Sequence, residues 1–154
     1  MNVLVADEAR RILFLSQTYE GSAHDKRIAD EEAIVFGSEF GKTVELLQDL
    51  GFQGYAPEGA VVIQPVKKPR GKSLTDAQKQ SNRELSRARV VIEHAIGGVK
   101  TWRIVKEQIR SWCHALRDRV MYLACGLHNF RLQCREILSN VVDEEVQRIL
   151  IPVG

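Results

Sequence analysis

Four short apolar runs lie before residue 66, and two long amphipathic repeats lie after it. That change of hydrophobic period limits the fold more than any other feature. Runs of four to six residues bury as strands, whereas 3.6-period repeats bury one stripe of a helix. Residues 2–6 (NVLVA) and 11–16 (RILFLS) are joined by Asp7-Glu8-Ala9-Arg10, which predicts a β-hairpin. Ser22-Ala23-His24-Asp25 has the S-x-x-D form of a capping box and predicts a helix through the 28–34 region. Gly37 and Gly41 bracket a loop. Residues 43–48 (TVELLQ) and 60–65 (AVVIQP) predict two more strands, with Asp49 at the end of the first.

The helical half follows a basic loop at 66–72 (VKKPRGK). Thr75-Asp76-Ala77-Gln78 forms a second capping box. The helix it opens carries Leu85, Ala88, Ile92, Ala95 and Ile96 on one side. Gly97-Gly98 either weakens that helix or permits close packing there. Ser111 is placed to cap a last long helix. Its apolar positions Leu116, Val120, Leu123, Leu127, Phe130 and Cys134 have 4-3-4-3-4 spacing, a narrow seam suited to packing on another helix. The expected fold is therefore mixed α/β. A main unit at 1–138 and an acidic, less regular tail at 139–154 are the expected divisions.

Charge adds a functional constraint. The net charge of +2 conceals a segregation: residues 1–66 are net −6, residues 67–135 net +11 and residues 136–154 net −3. The middle block is a candidate surface for a polyanion, and a nucleic acid is the expected partner. Such contacts hold phosphates without reading bases. Lys67, Lys68, Arg70 and Lys72 lie on the basic loop; Arg83, Arg87, Arg103, Lys106 and Arg110 widen the patch. Trp102 and Trp112 are expected to be packing residues. No apolar run approaches a membrane span, and no leader pattern opens the chain. The odd cysteines Cys113, Cys125 and Cys134 include no C-x-x-C pair, which argues for reduced, packed thiols in a cytosolic or nuclear setting.

The segment 89–100 (RVVIEHAIGGVK) concentrates the candidate chemistry. At about 100° per residue Arg89, Glu93 and Lys100 form one polar stripe about 16 Å long. Asp49, at a strand end, and Glu93, on a facing helix, are oxygen donors of the kind Mg²⁺ prefers. The same residues have a plainer account, in which Asp49 caps a turn and Glu93 makes ion pairs on the helix surface with Arg89 or its neighbours. Spacing alone favours the plainer account.

Several segments, in order, resemble the catalytic domain of DDE-type transposases of the bacterial insertion-sequence and Harbinger-like group. They are RILFLSQTYEGSAHDKRIAD at 11–30, LLQDLGFQGY at 46–55, PVKKPRGKSLT at 65–75 and NRELSRARVVIEHAIGGVKTWRI at 82–104. The resemblance covers roughly residues 2–135. It implies a ribonuclease-H-like fold and Mg²⁺- or Mn²⁺-dependent cutting and joining of DNA with a two-metal D, D, E site. By motif position Asp49 matches the second Asp, and Glu93 matches the Glu, both as catalytic metal ligands. Arg89 and Lys100 would hold phosphates nearby. Asp25 and His24, within GSAHD, are accessory candidates, although the capping box explains Asp25 without chemistry. Two departures stand out. Ser86 occupies a position where the family often has Tyr, and the family's first-strand Asp has no counterpart here; Asp7 falls in a turn.

The resemblance thus leads to an N-terminally truncated ribonuclease-H-like domain with a basic helical half. Three expectations stay open. The chain is an impaired endonuclease, a catalytically inactive DNA-binding relic, or the partner of a separately encoded N-terminal fragment. The last follows because a lost strand would leave a sheet edge unpaired. Homo-oligomerisation is also open. The expected location is the bacterial cytoplasm at the nucleoid, or the nucleus in a eukaryote.

Overall fold

The computed structural model describes residues 1–36, 44–71, 73–106 and 113–149, with the stretch beyond 140 described as backbone only. Gly37, Gly41, Lys72, Arg110, Ser111 and Trp112 lie outside these residues, so the expectations placed on them are not addressed. The described elements alternate as expected of a mixed α/β chain. They are strands β1 (Leu4–Ala6) and β2 (Ile12–Leu15), helix α1 (Asp25–Glu32), strands β3 (Val44–Leu47) and β4 (Ala60–Ile63), and helices α2 (Asp76–Lys100), α3 (Arg103–Lys106) and α4 (His114–Ile149).

β1 and β2 form the predicted antiparallel hairpin, with Leu4 opposite Leu15 and Val5 opposite Phe14. Its turn is closed locally. Arg10 N–H donates to the Asp7 carbonyl at 3.0 Å, and Arg11 N–H donates to Asp7 Oδ1 at 2.8 Å. β3 and β4 form a separate parallel pair, Val44 opposite Ala60 and Leu47 opposite Ile63. Among the described residues the two pairs are not hydrogen-bonded into one sheet.

The core lies where the hairpin meets α2 and α4. It consists of Ile12, Leu15, Ala95, Val99, Ala124 and Cys125, flanked by Leu4, Ala6, Val105 and Met121. Close approach of α2 and α4 depends on Gly98. A Cβ there would stand 2.3 Å from His128 Nδ1. His128 is buried and its Nε2 lies 2.9 Å from the Arg10 carbonyl, so the imidazole ties α4 to the hairpin turn while filling the space over Gly98. Asn129 adds a second tie. Its amide accepts from Ile12 N–H at 2.8 Å and donates to the Ile12 carbonyl at 2.9 Å, satisfying backbone groups on β2 that lack a strand neighbour.

Helix ends test the two capping boxes differently. At Thr75 both reciprocal bonds form: Thr75 Oγ1 accepts from Gln78 N–H at 3.3 Å, and Gln78 Oε1 accepts from Thr75 N–H at 3.0 Å. At Ser22 the box does not form. α1 is capped by His24, whose side chain makes no capping bond, and Ala23 N–H closes a turn onto the Glu20 carbonyl. Asp25 is instead the first helical residue, where its charge suits the helix N-terminus. The helix also stops at Glu32, before Ile34, because Ala33 adopts a left-handed conformation at φ 46°.

The seam on α4 is a second correction. Its core-facing side carries Met121, Ala124, Cys125 and His128, whereas Leu116, Leu123 and Phe130 of the anticipated seam are 45%, 64% and 62% exposed. Gly98 makes room for the His128 ring, so the Ala124–Cys125–His128 side of α4 faces the core and the seam residues are left outside. α4 also continues past Ser139 to Ile149, making the first part of the acidic tail helical. Trp102 is 41% exposed at the corner between α2 and α3, which leaves it outside the core. No described helix is long and apolar enough to cross a membrane.

Candidate functional site

Asp49 stands just beyond β3, at the C-terminal end of the parallel pair. Ladder bonding ends with Gln48 N–H donating to the Ile63 carbonyl at 3.1 Å. Asp49 then caps a short 3₁₀ turn at Leu50–Phe52, its Oδ1 accepting from Leu50 N–H at 2.6 Å. Gln64, after β4, donates to the Asp49 carbonyl at 2.6 Å and so fixes the loop from the neighbouring strand. The plainer account of Asp49 as a turn cap is thereby met, but the carboxylate has a further partner.

That partner is Arg89. Its Nη1 donates to Asp49 Oδ1 at 3.2 Å and its Nη2 to Oδ2 at 2.8 Å. This is a two-pronged pair in a half-exposed setting, with side-chain exposures of 27% and 50%. The helical Arg89–Glu93 pairing anticipated from spacing is therefore not made. Glu93 lies one turn on, exposed, and has no hydrogen bond or ion pair among the described residues. Lys100 is exposed at the end of α2, three turns from Arg89.

A cleft of about 270 Å³ lies beside Asp49 and Arg89. Val3 and the β1 residues Leu4 and Val5 line it, β3 contributes Leu46 and Leu47, and α2 contributes Ile92 and Ile96. Asp25 lines it as well. Its Oδ2 is 2.6 Å from where a Cβ on Gly51 would sit, so the start of α1 packs directly on the Asp49 turn. Asp25 and Asp49 are thus brought to one cleft from separate elements. Glu93 is not among the cleft's lining residues, and no three His, Cys, Asp or Glu side chains among the described residues form a metal-sized group. His24 is exposed and borders a neighbouring depression with Lys26, Arg27 and Asp30.

Residues 1–129 match the family model described as DDE superfamily endonuclease. The chain belongs to the DDE superfamily endonucleases. It is also 33% identical over 113 residues to a probable transposase for insertion sequence element IS702 from Microchaete diplosiphon. That alignment covers 73% of this chain and 39% of the relative, so the chain spans well under half of the curated relative's length. No solved structure matches.

Within this DDE endonuclease chain, the basic loop is anchored to the same helix that holds Arg89. Asn82 Oδ1 accepts from Val66 N–H at 2.8 Å, and Asn82 Nδ2 donates to the Val66 carbonyl at 3.0 Å. Asn82 precedes Arg89 by seven residues and so lies on nearly the same helical face. Lys67, Lys68 and Arg70 are all exposed, and Lys67 Nζ lies 3.4 Å from Gln53 Oε1 beyond the Asp49 turn. Loop cations, Arg89 and Asp49 are therefore mounted on one side of α2.

Three residues in this site carried no signal that periodicity could detect. Asn82 works through a pairing of amides 16 positions apart. Gln48 is buried, and its Nε2 donates to the Tyr55 carbonyl at 3.1 Å while its Oε1 has no partner among the described residues. The Tyr55 hydroxyl is likewise buried without one, and burial, with the Asp30 carboxylate second, holds its pKa above the usual phenol value. Gln48 and Tyr55 both line the cleft.

Proposed function

We propose that this chain is the DNA-holding part of a transposase whose family chemistry is metal-dependent phosphodiester cleavage and strand transfer. The observation that carries this reading is the placement of the Asp49–Arg89 pair and the Asn82-anchored basic loop on one side of α2. A phosphate backbone following Lys67, Lys68 and Arg70 would run toward a carboxylate at the end of a parallel strand pair. Strand ends of that type are where α/β sheets hold ligands.

The donor chemistry fits Mg²⁺ or Mn²⁺ in part. Asp49 is a hard oxygen ligand on a fixed turn, and Glu93 is an unpaired carboxylate one helical turn beyond the arginine that Asp49 binds. Such an ion, when bound, polarises a phosphoryl oxygen and lowers the pKa of an attacking water. Asp49 and Glu93 would hold it. Arg89, which satisfies both Asp49 oxygens in this structure, would give up at least one of them and turn to a phosphate. Lys100 would serve a phosphate further along the helix. A divalent cation about 5 Å from a guanidinium is disfavoured by about 1.7 kcal/mol even at the dielectric of water. Arg89→Gln is accordingly expected to raise Mn²⁺ affinity roughly tenfold while weakening DNA binding. Calorimetric Mn²⁺ titration of the two proteins checks this, and equal affinities would remove Asp49 from the metal site.

Two carboxylates are fewer than the three that the family uses. A specific observation favours completion by another segment. The cleft is walled by β1 on one side and β3 on the other, and it is lined by Gln48 and Tyr55, whose buried side-chain Oε1 and hydroxyl have no partner among the described residues. An extended segment there would bond to both strand pairs, joining them into one sheet of the ribonuclease-H-like type. It would also bring a third carboxylate beside Asp49. Asp25, already on the cleft wall, would pack against that segment's end.

The test is a plasmid-nicking assay with Mg²⁺ and with Mn²⁺, run beside duplex-DNA binding. The chain by itself is expected to bind DNA in a salt-sensitive manner, to keep binding after Asp49→Asn, and not to nick. Metal-dependent nicking by the chain alone, abolished in Glu93→Gln, would show that it needs no added strand. Absence of DNA binding at low salt would overturn the reading altogether.

A further inference from the structure

The connection from β4 to α2 is fastened at three points. Gln64 Nε2 donates to the Asp49 carbonyl at 2.6 Å. Two residues later, Val66 exchanges two hydrogen bonds with the Asn82 side chain, its N–H donating at 2.8 Å and its carbonyl accepting at 3.0 Å. At the far end the Thr75 capping box closes the start of the helix. From Val66 to Gly71 no other backbone group is hydrogen-bonded among the described residues. Lys67, Lys68 and Arg70 therefore stand on a stretch whose course is set at its root by Asn82. Lys67 also reaches Gln53 Oε1 at 3.4 Å, but that contact uses the cation itself and is given up once the ammonium meets a phosphate.

The same device occurs again on α4, and the contrast is informative. Asn129 pairs in this way with Ile12, where it completes a part-buried strand edge next to the core. A side-chain amide presents a donor and an acceptor side by side, so it imitates the backbone of a neighbouring strand. Val66 belongs to no strand and is 43% exposed, so water would satisfy its N–H and carbonyl equally well. The Asn82 bonds thus add little to the stability of the fold. What they fix is place. Gln64 ties the connection to the Asp49 turn, and Asn82 ties it to α2 roughly 10 Å along the helix axis from Arg89. The root of the basic loop is thereby held at a set distance from both members of the Asp49–Arg89 pair.

We infer that Asn82 is a positioning residue for DNA. It touches no phosphate itself. It holds Val66 so that Lys67, Lys68 and Arg70 are already directed along the path to Arg89 when a duplex arrives. The inference rests on the DNA-holding role proposed above and names the residue that preorganises that surface. Its signature follows from what is lost and what is kept. Removing the amide leaves every cation in place, so the number of phosphates neutralised, and with it the salt dependence, stays the same. The loop root must then be ordered at the moment of binding. Fixing the backbone of one residue is enough to weaken affinity roughly fivefold to tenfold.

Asn82→Ala in the whole chain tests this, by fluorescence anisotropy on a duplex of arbitrary sequence over a salt series and by limited trypsin digestion. Alanine is the better helix former, so α2 is not weakened and the urea midpoint is expected to stay at or above the wild-type value. DNA affinity is expected to fall roughly fivefold to tenfold with the slope of log K against log salt unchanged. Without DNA, cleavage after Lys67 and Arg70 is expected to speed up severalfold, and cleavage at other sites to stay the same. Ser81→Ala, at the exposed position next to Asn82, is expected to change none of these. Affinity within about twofold of wild type in Asn82→Ala would overturn the inference. So would an unchanged rate of cleavage in the loop. A slope lowered by about one would also overturn it, because a phosphate contact would then have gone rather than the order of the loop. A wild-type chain that binds no duplex would overturn the proposed function and this role together. Wild-type binding that Asn82→Ala leaves intact would overturn this role alone.

Discussion

Replacing Lys67, Lys68 and Arg70 together with alanine is expected to weaken duplex binding by roughly a hundredfold at about 0.1 M salt, with the dependence on salt falling as well. Each neutralised phosphate contributes about 0.9 to the slope of log K against log salt, so three lost contacts lower it by about 2.7. The side chains are exposed on a loop whose root is held by backbone bonds to Asn82, and none belongs to the core. The fold should therefore tolerate the change within about 0.5 kcal/mol. Because the contacts are to phosphate, the loss should be equal for unrelated duplex sequences. Fluorescence anisotropy over a salt series measures both quantities. An unchanged slope would mean that the basic loop does not touch the backbone, and the remaining charge on α2 would have to carry the DNA. Asp49→Asn offers a contrast of opposite sign. It removes a negative charge beside the same surface and releases Arg89, so binding should hold or improve.

The parts of this fold that were legible in the sequence are those whose partners lie close along the chain. The Thr75 capping box needs only the four residues that spell it, and both bonds form. The hairpin needs two apolar runs and a turn in which Asp7 can serve Arg11, and it forms too. Ser22 offered the same kind of four-residue pattern and failed, because Asp25 packs on Gly51 and the helix begins at Asp25, with His24 as its cap. Tertiary contact decided between two locally equivalent starts. The α4 seam failed in a related way. Its spacing was plain, but spacing does not say which of two stripes meets the core. The His128 ring fills the space over Gly98 while Ala124 and Cys125 join Ala95 and Val99 in the core, so the other stripe faces outward. At the site, Asp49 was legible as a strand-end residue. Its bond to Arg89, 40 positions away, was not, and a local Arg89–Glu93 pair was the natural expectation. The family itself was legible because several motifs occur in order; no single element reveals it.

Gly97→Leu and Gly98→Leu, adjacent on α2, are expected to move stability in opposite directions. Nothing lies within 4 Å of a Cβ at Gly97, so a side chain there gains helix propensity worth about 0.5–1 kcal/mol. At Gly98 the same propensity gain is overwhelmed. Even the first carbon would lie 2.3 Å from Nδ1 and 2.4 Å from Cε1 of His128. The ring is not free to swing aside, being buried and bonded through Nε2 to the Arg10 carbonyl. Either the helices separate, opening the Ala95–Val99–Ala124–Cys125 core, or His128 leaves and the hairpin turn loses its tie to α4. Overpacking of this kind costs about 1–3 kcal/mol, and a lost buried hydrogen bond about 1 kcal/mol more. A net loss of about 3 kcal/mol is expected from urea denaturation of Gly98→Leu. The mechanism makes a sharper demand than the magnitude. In a His128→Ala background the cavity left by the ring would accept much of the leucine, so the two substitutions should couple by at least about 1 kcal/mol in a double-mutant cycle. Strict additivity would mean that the ring is not what Gly98 makes room for. Arg89 lies nine residues before Gly98 on the same rigid helix, about 13 Å along its axis. Displacement of α2 at Gly98 should therefore reach the Asp49–Arg89 pair, and DNA affinity should fall in Gly98→Leu but not in Gly97→Leu.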